Sequence, residues 1–594
     1  MKVSKNITNR ELAELLRSVA AALELSEGDN RFRIIAYQRA ADSIEHASSE
    51  VKDLWDDGKL DTLAGVGESI SGYLDELFST GKVRHFREML KKFPPALFEL
   101  LQIPGLGPKS AFRLCKALGI NKAHTAIAKL QKAAKSGLVA QIEGFGVDSQ
   151  ASILKGIDEY QNRSHRLLLS SAEKTAHEII SWLKKIPEVV SADPLGSLRR
   201  QTATVGDVDI SVSSDHPDRV ISHFLAYPQK RRILEAGDHT ASLILPNDHQ
   251  VDLMVQPPDA YGSLLVHFTG SKHHNIALRE FALKKGYSIS EYGIKTRSGL
   301  KKFSDEKSFY SFLNLQFIPP ELRENQGEIE ISAKNNLPDL IKPEQIKGDL
   351  QIHSDIDVQP SHDLGTSSIP DLLDTARDLG YEYIGLTEHN PSISNHTDSQ
   401  IFELIKMKTN IVHKYNQSYE KKSEKYPYIF NGLEIDIRPD GTRALPDACL
   451  DLLDYACVSI HNSFDLDRQS MTDRVISGLD HPKVRFFAHP TARLLLEREG
   501  IELDWDRIFD FCLSRDKWLE INAWPNRLDL PDTQVREAIR LGVKILINTD
   551  SHSASHLSYM HYGVSVARRG WAMAAAVLNT RPLTVMRQLL VGNK

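Results

Sequence analysis

Between residues 383 and 552, short apolar runs that end in His, Asp or Glu alternate with segments of helical pattern. The runs span 383–389, 429–436, 456–461, 484–489 and 544–552. Alternation of strand and helix predicts parallel strands, and in α/β barrels the carboxyl ends of the strands meet at one face. One histidine at a strand end is usually structural, but a succession of such His, Glu and Asp residues predicts a metal site.

A second pattern lies in the middle of the chain. Asp207 and Asp209 are two positions apart in an apolar run, 205–212, that predicts a strand, and Asp252 begins another short strand. Residues i and i+2 of a strand point to the same face, so the first two carboxylates are predicted to project side by side. Adjacent carboxylates repel each other unless cations lie between them, and Mg²⁺ or Mn²⁺ takes such oxygen ligands. Three converging acids therefore predict a pair of metals.

The residues just before these acids suggest a phosphate site. Gly196 and Ser197 open a loop whose backbone donors could approach a phosphate closely, with Arg199 and Arg200 beside it. A lone Asp-x-Asp is more often a solvated strand end. The preceding Gly-Ser-x-Arg-Arg segment and the third aspartate argue against that alternative here. Phosphoryl transfer uses two metal ions, backbone donors that bind an oxyanion, and a guanidinium.

Length and composition indicate a large globular protein. The 594 residues imply three or more domains, and 41% hydrophobic and 26% charged residues are ordinary globular values. The four cysteines lack C-x-x-C spacing, which predicts reduced thiols. The N-terminus has no apolar signal region and no 18-residue apolar run occurs, so we predict a cytoplasmic protein without membrane contact.

Charge is distributed unevenly, although the net charge is only −6. No Asp or Glu occurs between Ile103 and Ile142, a region with seven basic residues: Lys109, Arg113, Lys116, Lys122, Lys129, Lys132 and Lys135. This region opens with Gly105-Leu-Gly107 before a helical pattern, and related Gly-x-Gly runs occur at 65–67 and 144–146. Such helix-hairpin-helix signatures bring backbone N–H groups to a DNA phosphate without reading sequence. Three copies predict non-specific binding to duplex DNA.

Residues 195–200, 205–212 and 251–255 resemble the palm of the family X DNA polymerases, which belong to the nucleotidyltransferase superfamily. Residues 267–279 and 287–293 resemble that family's Phe-Thr-Gly-Ser and Glu-Tyr-Gly segments. The resemblance implies that Asp207, Asp209 and Asp252 are catalytic and bind two Mg²⁺ or Mn²⁺ ions. It implies nucleotide binding by Gly196, Ser197, Arg200, Gly206, Gly270 and Asn275, and DNA binding by Gly65, Gly67, Gly105, Gly107, Lys109 and Arg279. His267 replaces the family's usual Tyr, so the resemblance does not extend to sugar selection.

The first 90 residues resemble the small N-terminal domain of the same polymerases. In many relatives this domain has a lysine that forms a Schiff base with an abasic sugar. Tyr73 stands where that lysine is expected, and a phenol cannot form the imine. We therefore expect no deoxyribose-phosphate lyase activity and a domain that grips the 5′ side of a gap.

Beyond residue 348 the motifs resemble the PHP domain (polymerase and histidinol phosphatase), a distorted (β/α)7 barrel that acts as a 3′–5′ exonuclease or phosphoesterase. Seven of its nine metal-ligand positions are present: His353, His389, Glu434, His461, His489, Asp550 and His552. Gln351 replaces a histidine and Val358 an aspartate, and Asp355 or Asp357 could substitute only if the loop shifts. We expect one or two Mn²⁺ or Zn²⁺ ions and weakened or absent nuclease activity. A purely structural role is the alternative.

These inferences predict a multidomain α+β and α/β protein. The predicted domains are a small helical DNA-binding domain (1–90), fingers with helix-hairpin-helix motifs (91–160), a nucleotidyltransferase palm (161–256), a thumb (257–318), an extended linker (319–347) and a PHP barrel (348–594). The predicted function is gap filling on gapped or primed duplex DNA with dNTPs, by a monomer. The alternatives are a Mn²⁺-dependent 3′-end phosphoesterase or exonuclease and a non-catalytic DNA-end adaptor.

Overall fold

The computed structural model describes residues 9–26, 31–45, 51, 55, 60, 65–103, 105–163, 166–246, 249–420 and 425–592. The chain forms two compact units, Met1–His165 with His362–Leu364, and Arg166–Ser361 with Gly365–Lys594. In the part of the chain so described, no helix combines the length and the apolar character needed to cross a membrane.

The first unit is helical. Its helices are α1 (Asn9–Glu24), α2 (Arg31–Glu45), α3 (Glu68–Thr80), α4 (Arg84–Leu90), α5 (Pro95–Leu100), α6 (Pro108–Ala117), α7 (Ala126–Lys135) and α8 (Val147–Arg163). Buried apolar side chains of α1 to α4 form one core, and those of α5 to α8 form another. Each core uses one apolar face of each helix, as expected for short amphipathic helices.

All three Gly-x-Gly runs have the same backbone geometry. The first glycine of each run has a positive φ: 79° at Gly65, 80° at Gly105 and 83° at Gly144. An L-residue rarely adopts this conformation, so glycine is required there. A helix begins directly after the second glycine in each case, at residues 68, 108 and 147. The sequence repeat therefore corresponds to one structural motif used three times.

The second unit begins with a five-stranded sheet. Its elements are β1 (Leu167–Leu168), α9 (Leu169–Leu183), β2 (Ser191–Pro194), α10 (Gly196–Arg199), β3 (Thr204–Val205), β4 (Val208–Ser213), α11 (Pro217–Leu225), β5 (Arg232–Ala236), β6 (Thr240–Ile244) and β7 (Gln250–Gln256). The strand order is β2-β4-β7-β6-β5, with β4 and β7 parallel and the other pairs antiparallel. Apolar residues of α9 and α11 bury one face of the two central strands.

A smaller α+β region follows the sheet. It contains α12 (Tyr261–Thr269), α13 (Lys272–Leu283), β8 (Ser288–Ser290), β9 (Gly293–Thr296), β10 (Gly299–Lys301), α14 (Glu306–Phe312) and α15 (Glu328–Ala333). The three strands form an antiparallel sheet. One apolar core, which includes Leu278, Ile294 and Phe309, joins the helices to this sheet.

The prediction of an extended linker over 319–347 is wrong. This segment contains helix α15 and two short 3₁₀ turns, Pro320–Leu322 and Pro343–Gln345. Some of its charged side chains are paired inside the fold. Arg323 and Glu328 are both fully buried, Arg323 against Glu306 and Glu328 against His274. Buried charges of this kind are tolerated only when they are paired and hydrogen-bonded.

The C-terminal part contains parallel strands and helices in alternation. The strands are β11 (Gly348–Ile352), β12 (Tyr383–Leu386), β13 (Tyr428–Asn431), β14 (Glu434–Asp436), β15 (Ala456–Ser459), β16 (Val484–Phe487), β17 (Trp518–Asn522) and β18 (Ile545–Asn548). The helices are α16 (Ile369–Asp378), α17 (Asp398–Tyr419), α18 (Asp447–Leu450), α19 (Arg468–Leu479), α20 (Trp505–Arg515), α21 (Asp532–Leu541), α22 (Met560–Arg569) and α23 (Leu583–Leu590).

These strands form a closed ring, which we call the strand ring. They make two parallel sheets, β11-β12-β13 and β14-β15-β16-β17-β18. Parallel bridges join the sheets at both edges, from His389 to Glu434 and from Ile352 to Ser551. Nearly every residue of these strands is buried. Helices cover the outside of such a ring and side chains fill its inside, which is why its strands are buried on both faces.

A buried lysine stabilises the gap between β13 and β14. Lys408, on α17, is fully buried. Its ammonium group donates to the carbonyl oxygens of Leu386 (3.0 Å) and Gly432 (2.7 Å) and to Asn431 Oδ1 (2.8 Å). It also lies 3.0 Å from the carboxylate of Glu388. These contacts hold the ends of β12 and β13 to α17.

We predict that Lys408→Met lowers the free energy of unfolding by about 3–5 kcal/mol, because Glu388 loses its buried counter-charge. The urea midpoint should fall, and hydrogen exchange measured by mass spectrometry should accelerate in β12 and β13. Lys406→Met is the matched control, since Lys406 lies on the same helix with an exposed side chain. Equal midpoints for the two variants would contradict the role assigned to Lys408.

Candidate active site and metal centre

Parallel strands place two of the three predicted aspartates together. Asp209 on β4 and Asp252 on β7 are register partners across adjacent parallel strands. Asp207 lies in a bend between β3 and β4 and is exposed, so the single strand predicted over 205–212 is interrupted before Val208. All three aspartates lie at or just before the N-terminal ends of β4 and β7.

The environment of these acids favours a cation. Burial, followed by the charges of Asp252 and Asp207, raises the pKa of Asp209 to about 6. Gln250 Nε2 donates to both carboxylate oxygens of Asp252 at 3.0 Å, and Ser242 Oγ donates to Oδ1. These contacts fix one carboxylate while the other is destabilised by like charge. The set fits hard divalent ions such as Mg²⁺ or Mn²⁺, which would remove the repulsion.

Gly196 lies directly against this acidic group. Its φ is +57°, and a Cβ at this position would lie 2.8 Å from Asp209 Oδ2. The preceding amide, that of Leu195, donates to the Asp209 carbonyl oxygen at 2.8 Å. The turn that begins α10 therefore packs closely on β4, and only glycine fits there. Ser197 is the next residue and is half-buried in α10.

The two arginines at the end of this segment have different partners. Arg199 forms a bidentate pair with Glu306 (2.8 and 2.9 Å) and also donates to Thr269 Oγ1 (2.6 Å). Arg200 donates from Nε to Glu324 (2.9 Å) and from Nη1 to the Thr269 carbonyl oxygen (2.6 Å). Arg200 Nη2 makes no hydrogen bond within the part of the chain that the structure describes. Arg199 is thus structural, and Arg200 retains a free donor.

The structure also locates the other predicted nucleotide residues. A Cβ on Gly270 would lie 3.2 Å from Arg200 Nη1, so this glycine permits the close approach of the guanidinium. Asn275, on α13, donates to the His267 carbonyl oxygen at 2.6 Å. Arg279 is exposed on the same helix. A Cβ on Gly206, in the bend with Asp207, would lie 3.9 Å from Arg166 Nη1.

The seven predicted ligands of the strand ring converge into one group, which we call the histidine cluster: His353, His389, Glu434, His461, His489, Asp550 and His552. Glu434 contacts four of its imidazoles. His353 lies 3.3 Å and His389 3.6 Å from Oε2, and His489 lies 3.0 Å and His461 3.5 Å from Oε1. His353 Nε2 is also 3.1 Å from Asp550 Oδ1. His353, His389 and His552 offer nitrogens within 4.8 Å of one another.

The buried atoms of the histidine cluster fit a metal. His353 Nδ1, His489 Nδ1 and Gln351 Oε1 are buried without a hydrogen-bond partner in the described chain. The rings of His353 and His552 are stacked with centroids 4.1 Å apart. Burial opposes the charge, but hydrogen bonds to Asp550 and Glu434 raise the pKa of His353 to about 10. A proton on His353 thus offsets the negative charges of Asp550 and Glu434. A divalent cation could supply the same positive charge.

Three supporting residues were missed by sequence reasoning. Asp436 Oδ1 accepts from His461 Nδ1 at 2.6 Å, which orients the imidazole as metal-bound histidines are commonly oriented. Asn522 donates to Asp550 Oδ2 at 3.0 Å, and Glu520 accepts from the His489 amide at 2.7 Å. Asp436 follows Glu434 by two residues on a strand, so the shared face could have been predicted. The other two gave no such signal.

The positions that depart from the family pattern have identifiable roles. Gln351 Nε2 donates to Glu434 Oε2 at 3.0 Å, so the amide contacts the cluster as a hydrogen-bond donor. Val358 is fully buried in the apolar core. Asp355 and Asp357 are both exposed, and neither belongs to the groups of potential metal ligands found among the described residues. The loop therefore supplies no substitute carboxylate in this conformation.

The basic region of the first unit is a candidate DNA-binding surface. All seven predicted cations, Lys109, Arg113, Lys116, Lys122, Lys129, Lys132 and Lys135, are exposed. Lys109 follows Gly107 by two residues in the first turn of α6. Tyr73, on α3, is stacked on His85 with centroids 5.1 Å apart, so it is an aromatic packing residue.

Comparison with known proteins defines the family. The model of the DNA polymerase beta thumb matches residues 264–324, and a helix-hairpin-helix domain matches residues 7–83. The Bacillus subtilis (strain 168) protein "DNA polymerase/3'-5' exonuclease PolX" is 32% identical over 588 residues, covering 98% of this chain and 99% of the relative. This chain belongs to the family X DNA polymerases.

Two further relatives are less similar. "DNA polymerase lambda" of Arabidopsis thaliana is 24% identical over 360 residues, covering 54% of this chain and 62% of that protein. Its namesake in Rattus norvegicus is 24% identical over 352 residues, covering 53% and 56%. The resemblance drawn from the sequence to family X polymerases, with their helix-hairpin-helix and thumb regions, is confirmed. In this polymerase the thumb match extends to residue 324 and includes the residues that pair with Arg199 and Arg200.

We predict that Lys109→Ala weakens binding to duplex DNA several-fold. The magnitude of the negative slope of log K against log salt should fall by about one. Loss of one phosphate contact releases one counterion fewer, which is the physical reason. Fluorescence anisotropy at several salt concentrations measures both values. Lys91→Ala is the control, because Lys91 is exposed but lies outside the basic region. An unchanged salt slope for Lys109→Ala would exclude a phosphate contact there.

Proposed function

We propose that this chain is a template-dependent DNA polymerase that fills short gaps during DNA repair. The observation that carries the proposal is the pairing of Asp209 and Asp252 across two parallel strands, with Asp207 beside them. Two Mg²⁺ or Mn²⁺ ions bound there would supply Lewis-acid stabilisation of the charge that develops during nucleotidyl transfer. The three carboxylates would hold these ions, with Asp252 nearest the primer 3′-hydroxyl.

The other residues of the polymerase site bind and orient the substrates. Ser197, Gly196 and Gly206 lie at the turns that flank the acids, and Arg200 offers its free Nη2 to the triphosphate. Asn275 and Arg279 lie on one helix and would contact the incoming base and the template strand. The three helix-hairpin-helix motifs and the basic region would bind the duplex on either side of the gap. Tyr73 predicts that the first unit lacks lyase activity.

For the strand ring we propose a PHP domain with a weakened 3′–5′ exonuclease or phosphoesterase activity. The seven ligands of the histidine cluster would hold one or two Mn²⁺ or Zn²⁺ ions. Glu434, His461 and His489 keep one complete set of donors. Gln351 is a neutral ligand and a weaker donor than imidazole, and Val358 offers none. A phosphoesterase needs two ions to activate water and to stabilise the departing oxygen, so each lost ligand lowers the rate.

The second candidate function is a Mn²⁺-dependent 3′–5′ exonuclease as the main activity. It is favoured by the convergence of the ligands into overlapping groups, such as His353, Glu434 and Asp550, whose ligand atoms lie within 4.8 Å of one another in a buried site. A purely structural role of the PHP domain is the alternative to both. Dependence on nucleotides separates polymerase from exonuclease activity, and an adaptor would require neither metal nor nucleotide.

We predict that a labelled primer on a one-nucleotide gapped duplex is extended with Mn²⁺ and dNTPs and that Asp207→Ala abolishes this extension. The rate should fall at least 10³-fold, roughly the effect of removing a group that stabilises transition-state charge. Denaturing gel electrophoresis measures the product. Omission of dNTPs is the control for shortening of the primer. Extension that persists in Asp207→Ala would overturn the polymerase assignment of this site.

We predict that Gln351→His increases both the Mn²⁺ affinity of the PHP domain and any metal-dependent shortening of the primer. An affinity gain of about 10-fold is expected, because imidazole replaces an amide that donates to Glu434. Calorimetry in an Asp209→Ala, Asp252→Ala background isolates the PHP ions. Glu434→Ala and His461→Ala are the negative controls. Shortening by the unsubstituted protein that equals that of Gln351→His would show that seven ligands suffice.

A further inference from the structure

Helix α22 lies C-terminal to the strands of the strand ring. Two consecutive arginines of this helix contact residues 166–347, which we call the polymerase half. Arg568 donates to Glu321 Oε1 at 2.7 Å and to the Ile341 carbonyl oxygen at 2.9 Å. One turn earlier, Ser565 Oγ donates to Gln201 Oε1 at 3.0 Å. Arg569, the next residue, contacts the Gly-Ser-Leu-Arg-Arg segment of the nucleotide site.

Arg569 contacts both the backbone and the side-chain partner of Arg200. Its Nη1 donates to the Arg200 carbonyl oxygen at 2.8 Å and to Glu324 Oε1 at 3.1 Å. The same Glu324 oxygen accepts from Arg200 Nε at 2.9 Å. The side chains of Arg569 and Arg200 are only 10% and 13% exposed, so solvent screens these contacts weakly.

The charge balance of this group depends on Arg569. Glu324 alone would neutralise Arg200, and Asp532, 2.7 Å from Arg569 Nη2, adds a second negative charge. With Arg569 the four groups carry no net charge, and without it they carry one negative charge. A triphosphate is strongly anionic, so this change disfavours its binding next to Arg200 Nη2.

We propose that Arg569 is a positioning residue for nucleotide binding, supplied to the polymerase site by the PHP-type domain. It holds the end of α10 through the Arg200 carbonyl oxygen and shares Glu324 with the Arg200 guanidinium. Arg200 thereby keeps its orientation and its charge for the triphosphate. The strand ring is thus an integral support of the polymerase site. This inference rests on the proposed polymerase function and on the role proposed there for Arg200.

The test is steady-state insertion of one dNTP into a one-nucleotide gap by the full-length chain. Arg569→Ala should raise the KM for the nucleotide about tenfold, as expected for loss of a charged hydrogen bond, and change kcat by less than about threefold. Arg569→Lys should restore part of the loss, since it retains the charge but cannot span both acceptors and Asp532. Arg568→Ala is the matched control, because Arg568 lies on the same helix end without contacting Arg200.

A second variant tests the electrostatic part of the proposal. In Arg569→Ala, adding Glu324→Gln removes the carboxylate that neutralises Arg200, so the KM should return part of the way to the parent value. Thermal unfolding verifies that each variant is folded. If Arg569→Ala does not fold, Arg569→Lys, which keeps the buried charge, must show the raised KM.

The possible outcomes distinguish a failure of this inference from a failure of the proposed polymerase function. A parent protein that does not extend the primer would overturn the polymerase assignment. Extension with a parental KM in Arg569→Ala and Arg569→Lys would overturn the inference alone. An equal rise of KM in Arg568→Ala would also overturn it, since the effect would then reflect general docking of α22. A loss confined to kcat would contradict a role in binding the nucleotide.

Discussion

The parallel pairing of β4 and β7 forces Asp209 and Asp252 side by side in a partly buried place, where they repel each other and Asp207. Many contacts around them accommodate this repulsion. Hydrogen bonds from Gln250 and Ser242 fix one carboxylate, and the absence of a side chain at Gly196 allows the α10 turn to approach the other. Such preorganisation lowers the reorganisation needed when cations and substrate bind. Divalent ions bound among these carboxylates would offset their repulsion.

The histidine cluster also holds buried carboxylates whose charge must be offset, but the neighbouring groups are imidazoles. Glu434 and Asp550 are deeply buried carboxylates, but imidazoles surround them and His353 can bear a balancing proton. Contacts with these imidazoles therefore offset the charges of the two acids. Gln351 strengthens that tendency, because its amide N–H occupies a lone pair of Glu434 that a cation would otherwise use.

Much of this architecture could be predicted from the sequence because the relevant signals are local. The glycines at 65, 105 and 144 predicted turns that do adopt a positive φ, and the strand-terminal ligands of 383–552 do meet at one site. The failures concern polar residues whose partners are distant in the chain. Residues 319–347 gave a polar signal, yet Arg323 is buried against Glu306. Arg200 and Arg569 are 369 positions apart, and neither spacing nor composition indicates that they touch.

Those distant contacts are also the ones that join the strand ring to the polymerase half. Arg536, Arg568 and Arg569 all reach the short segment between Glu321 and Gln326, and Glu324 in that segment pairs with Arg200. A partly buried ion pair contributes little net stability, because desolvation offsets most of its Coulomb energy. Apolar contacts could join two domains with less desolvation. The use of guanidinium forks instead indicates that the joint is selected for fixed geometry, since each fork defines the direction of two hydrogen bonds. Through Glu324 and its own carbonyl oxygen, Arg200 is held by the contacts that join these two parts of the chain.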